Sequence, residues 1–172
     1  MASDSGLIFL KTDGGRIKID LGALELMWAY AQHTRLSCEA GGVLLGRYII
    51  DSLDVVIDSV SVPTKDDVRK RNYFKRDQRL HQKTIEECWQ ESKGTCNYLG
   101  EWHTHPEISP YPSGFDLRNW KKVLRKSRYD SEFLHFVIVG LEKVKVWEGR
   151  KDSLEISLLQ EYIPRRGCID EV

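Results

Sequence analysis

Short runs rich in β-branched and aromatic residues recur along the chain, and Gly, Asp, Ser or Pro positions separate them. Runs of this kind between turn formers are typical of β-strands. The pattern predicts two short strands around the turn TDGG, a hairpin around Asp51-Ser52, and further strands in the second half of the chain. The predicted strands are Leu7–Leu10, Arg16–Ile19, GGVLLGRYII, LDVVIDSVSV, YLGEWHTH, EFLHFVIVG, KVKVWEG and LEISLLQEY.

Other segments place apolar residues at helical spacing and predict helices. They are DLGALELMWAYAQH, which begins at the N-cap type residue Asp20, then DQRLHQKTIEECWQES and SGFDLRNWKKVLRKS. The residues predicted to face the core are Leu80, Thr84, Ile85, Cys88 and Trp89 in the second helix, and Phe115, Trp120, Val123 and Leu124 in the third. The polar and basic stretch from Pro63 to Arg76 is predicted as a long loop.

Strands outnumber helices in this pattern, and several strands are joined as hairpins. These features predict an α/β fold of the α+β type, with a mixed, largely antiparallel sheet flanked by helices, and they disfavour doubly wound parallel βαβ units. The length of 172 residues suits one domain with a sizeable core. We expect that domain to span residues 7–163, and the polar tail 164–172, with Pro164 and Gly167, to fray.

Composition narrows the function. The chain has 26 Lys plus Arg and 26 Asp plus Glu, so no net charge attracts nucleic acid or an anionic membrane. No apolar run approaches the ~18 residues of a membrane span, and the first residues do not resemble a signal peptide. The 4 cysteines contain no CxxC pair. We therefore expect a cytoplasmic protein with reduced thiols.

The stretch GEWHTHPEISPYPSGFD carries the candidate chemistry. Side chains two apart on a strand share a face, so His103 and His105 project together and suit one cation. Asp116, at the start of the third helix, is a candidate third ligand. Ser113 and Asp116 also fit a helix capping box, which is the commoner role of that spacing. Two His and one carboxylate with an open fourth position are typical of catalytic zinc.

A catalytic zinc site also needs a base that takes a proton from water. Glu101 lies on the same predicted strand as the two histidines, and Glu39, in SCEAGGVLLG, is a more distant candidate. Most glutamates are ordinary surface carboxylates, and the residues alone do not choose between these two.

Taken together, Glu39, His103, His105, Ser113 and Asp116 resemble the JAMM signature of the JAB/MPN metalloproteases, in which a Glu is followed by His-x-His, seven residues, Ser, two residues and Asp. The resemblance spans roughly Leu7 to Tyr162. It implies a curved mixed sheet between helices, the cytidine deaminase-like architecture. It also implies zinc (Zn2+) held by the His pair and Asp116, Glu39 as general base, and a hydrogen bond from Ser113 to the oxyanion.

The wider context NYFKRD…HQ…YLGEWHTHPE…PSGFD…W resembles the stand-alone JAB proteins of bacterial anti-phage operons of the CBASS type. That resemblance implies a protein substrate with a flexible C-terminal tail, a cGAS-like nucleotidyltransferase. An E1–E2-like ligase joins this protein to targets, and the JAB protein reverses the joining. We expect the tail to pair with a sheet edge near Glu39 and the loop Pro106 to Pro112. Ser109 and Tyr111 are therefore candidate substrate-binding residues.

Three alternatives stay open. A JAB peptidase could instead trim a sulfur-carrier protein. A non-catalytic MPN scaffold is disfavoured because the motif is complete. A DNA-associated protein of the RadC kind is disfavoured by the balanced charge.

Overall fold

The computed structural model describes residues 6–163 and contains a mixed sheet with α-helices packed on it. The order of strands across this sheet is β1-β2-β4-β3-β7-β8-β9-β10, and β5 and β6 form a separate two-stranded sheet. The elements are β1 (Leu7–Leu10), β2 (Arg16–Ile19), α1 (Leu21–Trp28), β3 (Gly41–Tyr48), β4 (Val55–Val60), β5 (Val68–Lys70), β6 (Tyr73–Lys75), α2 (Gln78–Glu91), β7 (Asn97–Thr104), α3 (Gly114–Lys126), β8 (Phe133–Val139), β9 (Val144–Arg150) and β10 (Ile156–Tyr162).

The large sheet is mixed and largely antiparallel, as the sequence predicts. Only β2 with β4 and β7 with β8 pair in parallel within the described residues. The sheet also curves until it is nearly closed. The Thr12 backbone N–H, in the β1–β2 turn, donates to Glu148 Oε1 of β9 over 3.0 Å, although β1 and β9 lie near opposite ends of the strand order.

The inside of the curve holds the larger core, which α1 covers. Met27 of α1 is fully buried against this core, together with Ile17, Ile57 and Trp102. On the other face, Trp120 of α3 stacks on Phe136 of β8 with ring centroids 4.5 Å apart. Burial of one such side chain contributes roughly 1.5–3 kcal/mol to stability. Packing is therefore the main interaction that holds α1 and α3 on the sheet.

The buried positions predicted for α2 and α3 are only partly right. Trp120 and Leu124 of α3 are buried, but Phe115 is 46% exposed at the first turn. In α2, Trp89 is 54% exposed, and the buried residue is His81, which no hydrophobic pattern would select. The reason is that α2 covers a small apolar patch of β3 and β7, so its apolar face is wider than the patch.

The loop predicted from Pro63 to Arg76 is wrong in part, because β5 and β6 form an antiparallel hairpin within it. Each strand has 3 residues and none of them is buried, so no alternation of buried and exposed positions marks them. A hairpin this small is not stable alone and depends on tertiary contacts. We call residues 67–77 the basic hairpin.

Two cysteines also depart from expectation. Cys88 near the end of α2 and Cys96 before β7 form a disulfide, whereas the sequence predicted reduced thiols. Gly94, with a φ of 85°, reverses the chain after α2 and returns Cys96 beside Cys88. Cys38 is unpaired among the described residues, and Cys168 and the predicted tail lie outside them. No helix in residues 6–163 has the length and apolar character of a bilayer span.

Candidate metal centre

The carboxyl end of β7 carries both predicted histidine ligands. His103 is the last β7 residue paired with β3, opposite Gly41, and the His105 backbone N–H donates to the Val139 carbonyl over 2.9 Å. Both side chains are buried, and their Nε2 atoms lie 3.1 Å apart. Two imidazoles anchored on one strand face therefore converge on one point, as the His-x-His spacing predicts.

Asp116 reaches the same point from the first turn of α3. Its Oδ1 lies 3.5 Å from His103 Nε2, and its Oδ2 lies 3.4 Å from His105 Nε2. Ser113 caps the helix: its backbone N–H donates to Asp116 Oδ2 over 2.7 Å, and the Asp116 N–H donates to Ser113 Oγ over 3.2 Å. The capping box and the ligand set thus coexist, because the cap holds the Asp116 carboxylate in the direction of the two histidines.

These three residues fit a divalent metal. Ligand atoms bound tetrahedrally at about 2.0–2.2 Å lie roughly 3.3 Å from one another. The contacts here are 3.1, 3.4 and 3.5 Å. His103, His105 and Asp116 also form the group in the described residues whose ligand atoms lie within 4.8 Å of one another. Two imidazoles and one carboxylate leave a fourth position open, as catalytic zinc sites do.

The charge state of Asp116 also suits a cation. Burial alone would raise the pKa of Asp116, but hydrogen bonds from His103 and His105 bring that pKa well below its ordinary value. Burial alone would lower the pKa of His105, but its hydrogen bond to Asp116 raises that pKa. Asp116 is therefore a carboxylate at neutral pH, which is the form that binds a metal.

Glu39 lies beside the three residues, in the loop before β3. It is 7% exposed, and its Oε1 lies 3.9 Å from His105 Nε2. Burial is the main cause that raises the pKa of Glu39; His105 opposes it, Asp116 and Glu107 add to it, and the resulting pKa is about 7. A carboxyl group that titrates near neutral pH can both accept and return a proton. Glu101, the other candidate base, is instead paired with Arg76 of the basic hairpin.

The basic hairpin holds the backbone around Glu39. The Glu39 N–H donates to the Lys70 carbonyl over 2.8 Å, and Arg69 Nε donates to the Glu39 carbonyl over 2.8 Å. The sequence predicted this polar, basic stretch only as part of a long loop, and it did not predict the contact with Glu39. The residue types in a basic run do not indicate which backbone group one of its side chains binds.

The loop after the histidines contains Ser109 and Tyr111. Ser109 is half-buried, and the Tyr111 ring is 59% exposed and lies under Lys145 Nζ, 3.4 Å from the ring centroid. The loop rests on the β8–β9 turn, where the Leu141 N–H donates to the Glu107 carbonyl over 2.7 Å. The role of Ser109 and Tyr111 in binding substrate stays a prediction.

A second buried cluster looks like a hydrolase triad but lacks the access that one needs. Ser61 Oγ lies 2.6 Å from His81 Nδ1, and His81 Nε2 lies 3.1 Å from Asp67 Oδ2. His81 and Asp67 side chains are 0% exposed, and Ser61 Oγ already accepts the Val43 N–H over 2.8 Å. Asp67 Oδ1 accepts the Asp77 N–H over 2.7 Å. The cluster therefore fastens both ends of the basic hairpin to β3 and α2.

Comparisons with known proteins identify the relatives of this chain. Residues 22–151 match the family described as prokaryotic homologs of the JAB domain. A CD-NTase/cGAS isopeptidase of Pseudomonas aeruginosa is 40% identical over 117 residues, which are 68% of this chain and 72% of that protein. A CD-NTase/cGAS isopeptidase of Vibrio cholerae is 33% identical over 162 residues, or 94% of this chain and 98% of that protein.

A solved structure shares the fold. The solution structure of protein DSY2949 from Desulfitobacterium hafniense superposes with a TM-score of 0.60 at 22% identity. The alignment covers 84% of this chain and 90% of that one. It supports the curved sheet and the placement of the helices.

Proposed function

Since the chain belongs to the family of prokaryotic homologs of the JAB domain, we propose that it is a zinc-dependent isopeptidase. The observation that carries the proposal is the convergence of His103, His105 and Asp116 on one point, with the buried carboxyl group of Glu39 beside them. The relatives named as isopeptidases support the reaction type.

In this proposal His103, His105 and Asp116 hold the zinc ion. A zinc ion there supplies Lewis acidity toward the scissile carbonyl and the attacking water. Glu39 accepts a proton from that water as it attacks the amide carbon. Glu39 then returns the proton to the leaving nitrogen as the C–N bond breaks. The products are a carboxylate and an amine, so the reaction consumes one water for each bond cut.

Ser113 has a second task in the proposed reaction. Its Oγ donates to Asp116 Oδ2 over 2.5 Å in this structure. When substrate is bound, the same hydroxyl would turn its hydrogen toward the oxygen of the scissile carbonyl, where negative charge develops. A donor that is already aimed at the oxyanion contributes about 10²–10³-fold in rate, and Ser113, whose hydroxyl must turn first, should contribute less. The backbone N–H of Ser113 would continue to hold Asp116 during that change.

For the substrate we propose a protein with a flexible C-terminal tail, namely a cGAS-like nucleotidyltransferase joined through its C-terminus to a target amine. The names of the relatives support this class, since they are CD-NTase/cGAS isopeptidases. The protein would act in the cytoplasm, on conjugates that an E1–E2-like ligase makes, and it would reverse that joining in anti-phage defence.

The first test is cleavage of a cGAS-like nucleotidyltransferase fused at its C-terminus to a reporter protein. Glu39→Gln removes the proton acceptor and should lower kcat by about 10²–10⁴-fold, with the zinc content unchanged. The matched control is Glu101→Gln, which changes a second glutamate that faces Arg76 and should keep kcat within a few fold. A chelator should abolish cleavage in every variant.

Each other result has a meaning. Full activity in Glu39→Gln would remove Glu39 from the mechanism. A zinc-loaded protein that cleaves no nucleotidyltransferase fusion, but trims a sulfur-carrier tail, would change the substrate and keep the chemistry. A protein that binds zinc weakly and cleaves neither substrate would favour a non-catalytic scaffold.

A further inference from the structure

The backbone on both sides of the Glu39 side chain is fully hydrogen bonded. The basic hairpin binds the Glu39 N–H and carbonyl, and the next N–H, that of Ala40, donates to Thr104 Oγ1 over 3.0 Å. The Thr104 N–H donates in return to the Ala40 carbonyl over 2.8 Å. The Thr104 hydroxyl thus takes the place of a strand carbonyl for the Ala40 N–H.

Thr104 stands between the two histidine ligands on β7. Because neighbouring residues of a strand face opposite sides, its side chain lies on the face away from the metal centre. It is fully buried, and Oγ1 donates to Gln32 Oε1 over 3.2 Å. One threonine therefore connects the strand that carries His103 and His105 with the loop that carries Glu39.

Gln32 joins a third segment to these two. It follows α1, is 2% exposed, and uses its amide on both sides. Its Oε1 accepts from Thr104, and its Nε2 donates to the Ser37 carbonyl over 3.1 Å and to the Arg71 carbonyl over 2.7 Å. Ser37 belongs to the Glu39 loop, and Arg71 belongs to the basic hairpin. A single buried amide is thus bonded to each of the three segments that surround Glu39.

We propose that Gln32, acting through Thr104, is a positioning residue that fixes Glu39 relative to the histidine ligands; this rests on the proposed function of Glu39 as the base. Gln32 touches no ligand atom in the contacts described, so its effect passes through the Ala40 N–H and the Ser37 and Arg71 carbonyls. A displacement of about 1 Å in a reacting group can lower a rate by about 10²-fold, so a buried amide at this junction controls kcat.

The decisive pair of variants is Thr104→Val and Thr104→Ser. Valine keeps the shape and removes the hydroxyl, whereas serine keeps the hydroxyl. Thr104→Val should lower kcat by about 30- to 100-fold, with KM within about 3-fold and the zinc content unchanged. Thr104→Ser should restore most of the rate. Gln32→Leu should also lower kcat, and the double variant should lose less than the product of the two single losses, because both single variants remove the Thr104–Gln32 bond.

A readout that needs neither zinc nor substrate is hydrogen exchange at the Ala40 amide. We expect exchange in Thr104→Val and Gln32→Leu to be at least about 10-fold faster than in the wild type at that amide, and unchanged in β8. The matched control is Ser92→Ala, which also deprives a partly buried backbone N–H, that of Cys96, of its hydroxyl acceptor and has no bond to the hairpin or the Glu39 loop among the contacts described. It should destabilise the protein but leave kcat of the folded protein and Ala40 exchange near wild type.

The outcomes separate this proposal from the proposed function. If the wild type cleaves nothing, the reaction assigned to it is wrong, and Ala40 exchange still decides whether Gln32 and Thr104 fix this loop. The proposal is overturned if Thr104→Val keeps the wild-type kcat, or if Ser92→Ala lowers kcat as much. Should Thr104→Val not fold, Gln32→Leu carries the same test, since it removes the acceptor of the Thr104 hydroxyl and leaves Thr104 itself unchanged.

Discussion

Residues 6–163 contain two buried clusters of histidine and aspartate, and they differ in what their polar atoms bind. In one, Asp67, His81 and Ser61 bind backbone N–H groups and one another, so the donors and acceptors described there have protein partners. In the other, His103, His105 and Asp116 turn their ligand atoms toward a common point. Proximity of a histidine and an aspartate is therefore not enough to indicate a functional site. The distinguishing feature is whether the side chains are committed to the protein or converge on a shared position.

The largest difference between the two clusters should appear when the aspartate of each is replaced by asparagine. The first of these variants is Asp116→Asn. An amide binds a metal far more weakly than a carboxylate, so zinc content should fall from one ion per chain to nearly none. Cleavage should fall by more than about 10³-fold. The asparagine oxygen can still accept the Ser113 N–H, but the hydrogen bonds from His103 and His105 that lower the pKa of Asp116 are weakened, so the metal-free protein should also lose some stability. Metal analysis and metal-free thermal unfolding test both parts, and retained zinc would contradict the ligand assignment.

The same change in the other cluster, Asp67→Asn, should have the opposite effect. The NH2 group of the asparagine would face an N–H group whose hydrogen bond the carboxylate accepted. One buried N–H would then be left without an acceptor. The free energy of unfolding should fall by about 1–3 kcal/mol. The melting temperature should fall by several degrees for a chain of this size. Zinc content should stay at one ion per chain. Loss of zinc in Asp67→Asn together with normal stability would reverse the comparison.

The smallest effect concerns pH. Burial alone would raise the pKa of Asp67, but the N–H groups of Asp77 and Thr64 donate to its carboxylate and bring the pKa below its ordinary value. A pKa lowered by folding stabilises the protein above the unfolded value of about 3.9, and this contribution is lost as the pH falls through the lower folded value. The stability difference between the wild type and Asp67→Asn should therefore be full at pH 6 and shrink below about pH 4. Urea unfolding of the metal-free proteins measures this stability difference. A difference that grows as the pH falls would contradict the prediction.

Much of the fold was predictable because local pattern and final environment agree. The strands of the large sheet carry dense β-branched residues, and α3 begins at a serine with an aspartate three residues later, so both are marked in the chain itself. The basic hairpin was not predictable, because its strands are exposed and it is held by contacts with the Glu39 loop. The disulfide was not predictable for a similar reason. A separation of eight residues does not by itself indicate that Cys88 and Cys96 pair, and only the turn after α2 brings them together.

The sequence by itself determined the chemistry that can assemble at the metal centre. The strand period places His103 and His105 on one face, and the helix cap orients Asp116, and both are local effects within a few residues. Only the tertiary structure decided that Glu39, far away in the chain, approaches His105, and that Glu101 pairs with Arg76 instead. It also decided that Gln32 is buried among three segments. These outcomes depend on how the curved sheet brings together segments that are far apart in the chain. The spacing of residues along the chain does not specify those contacts.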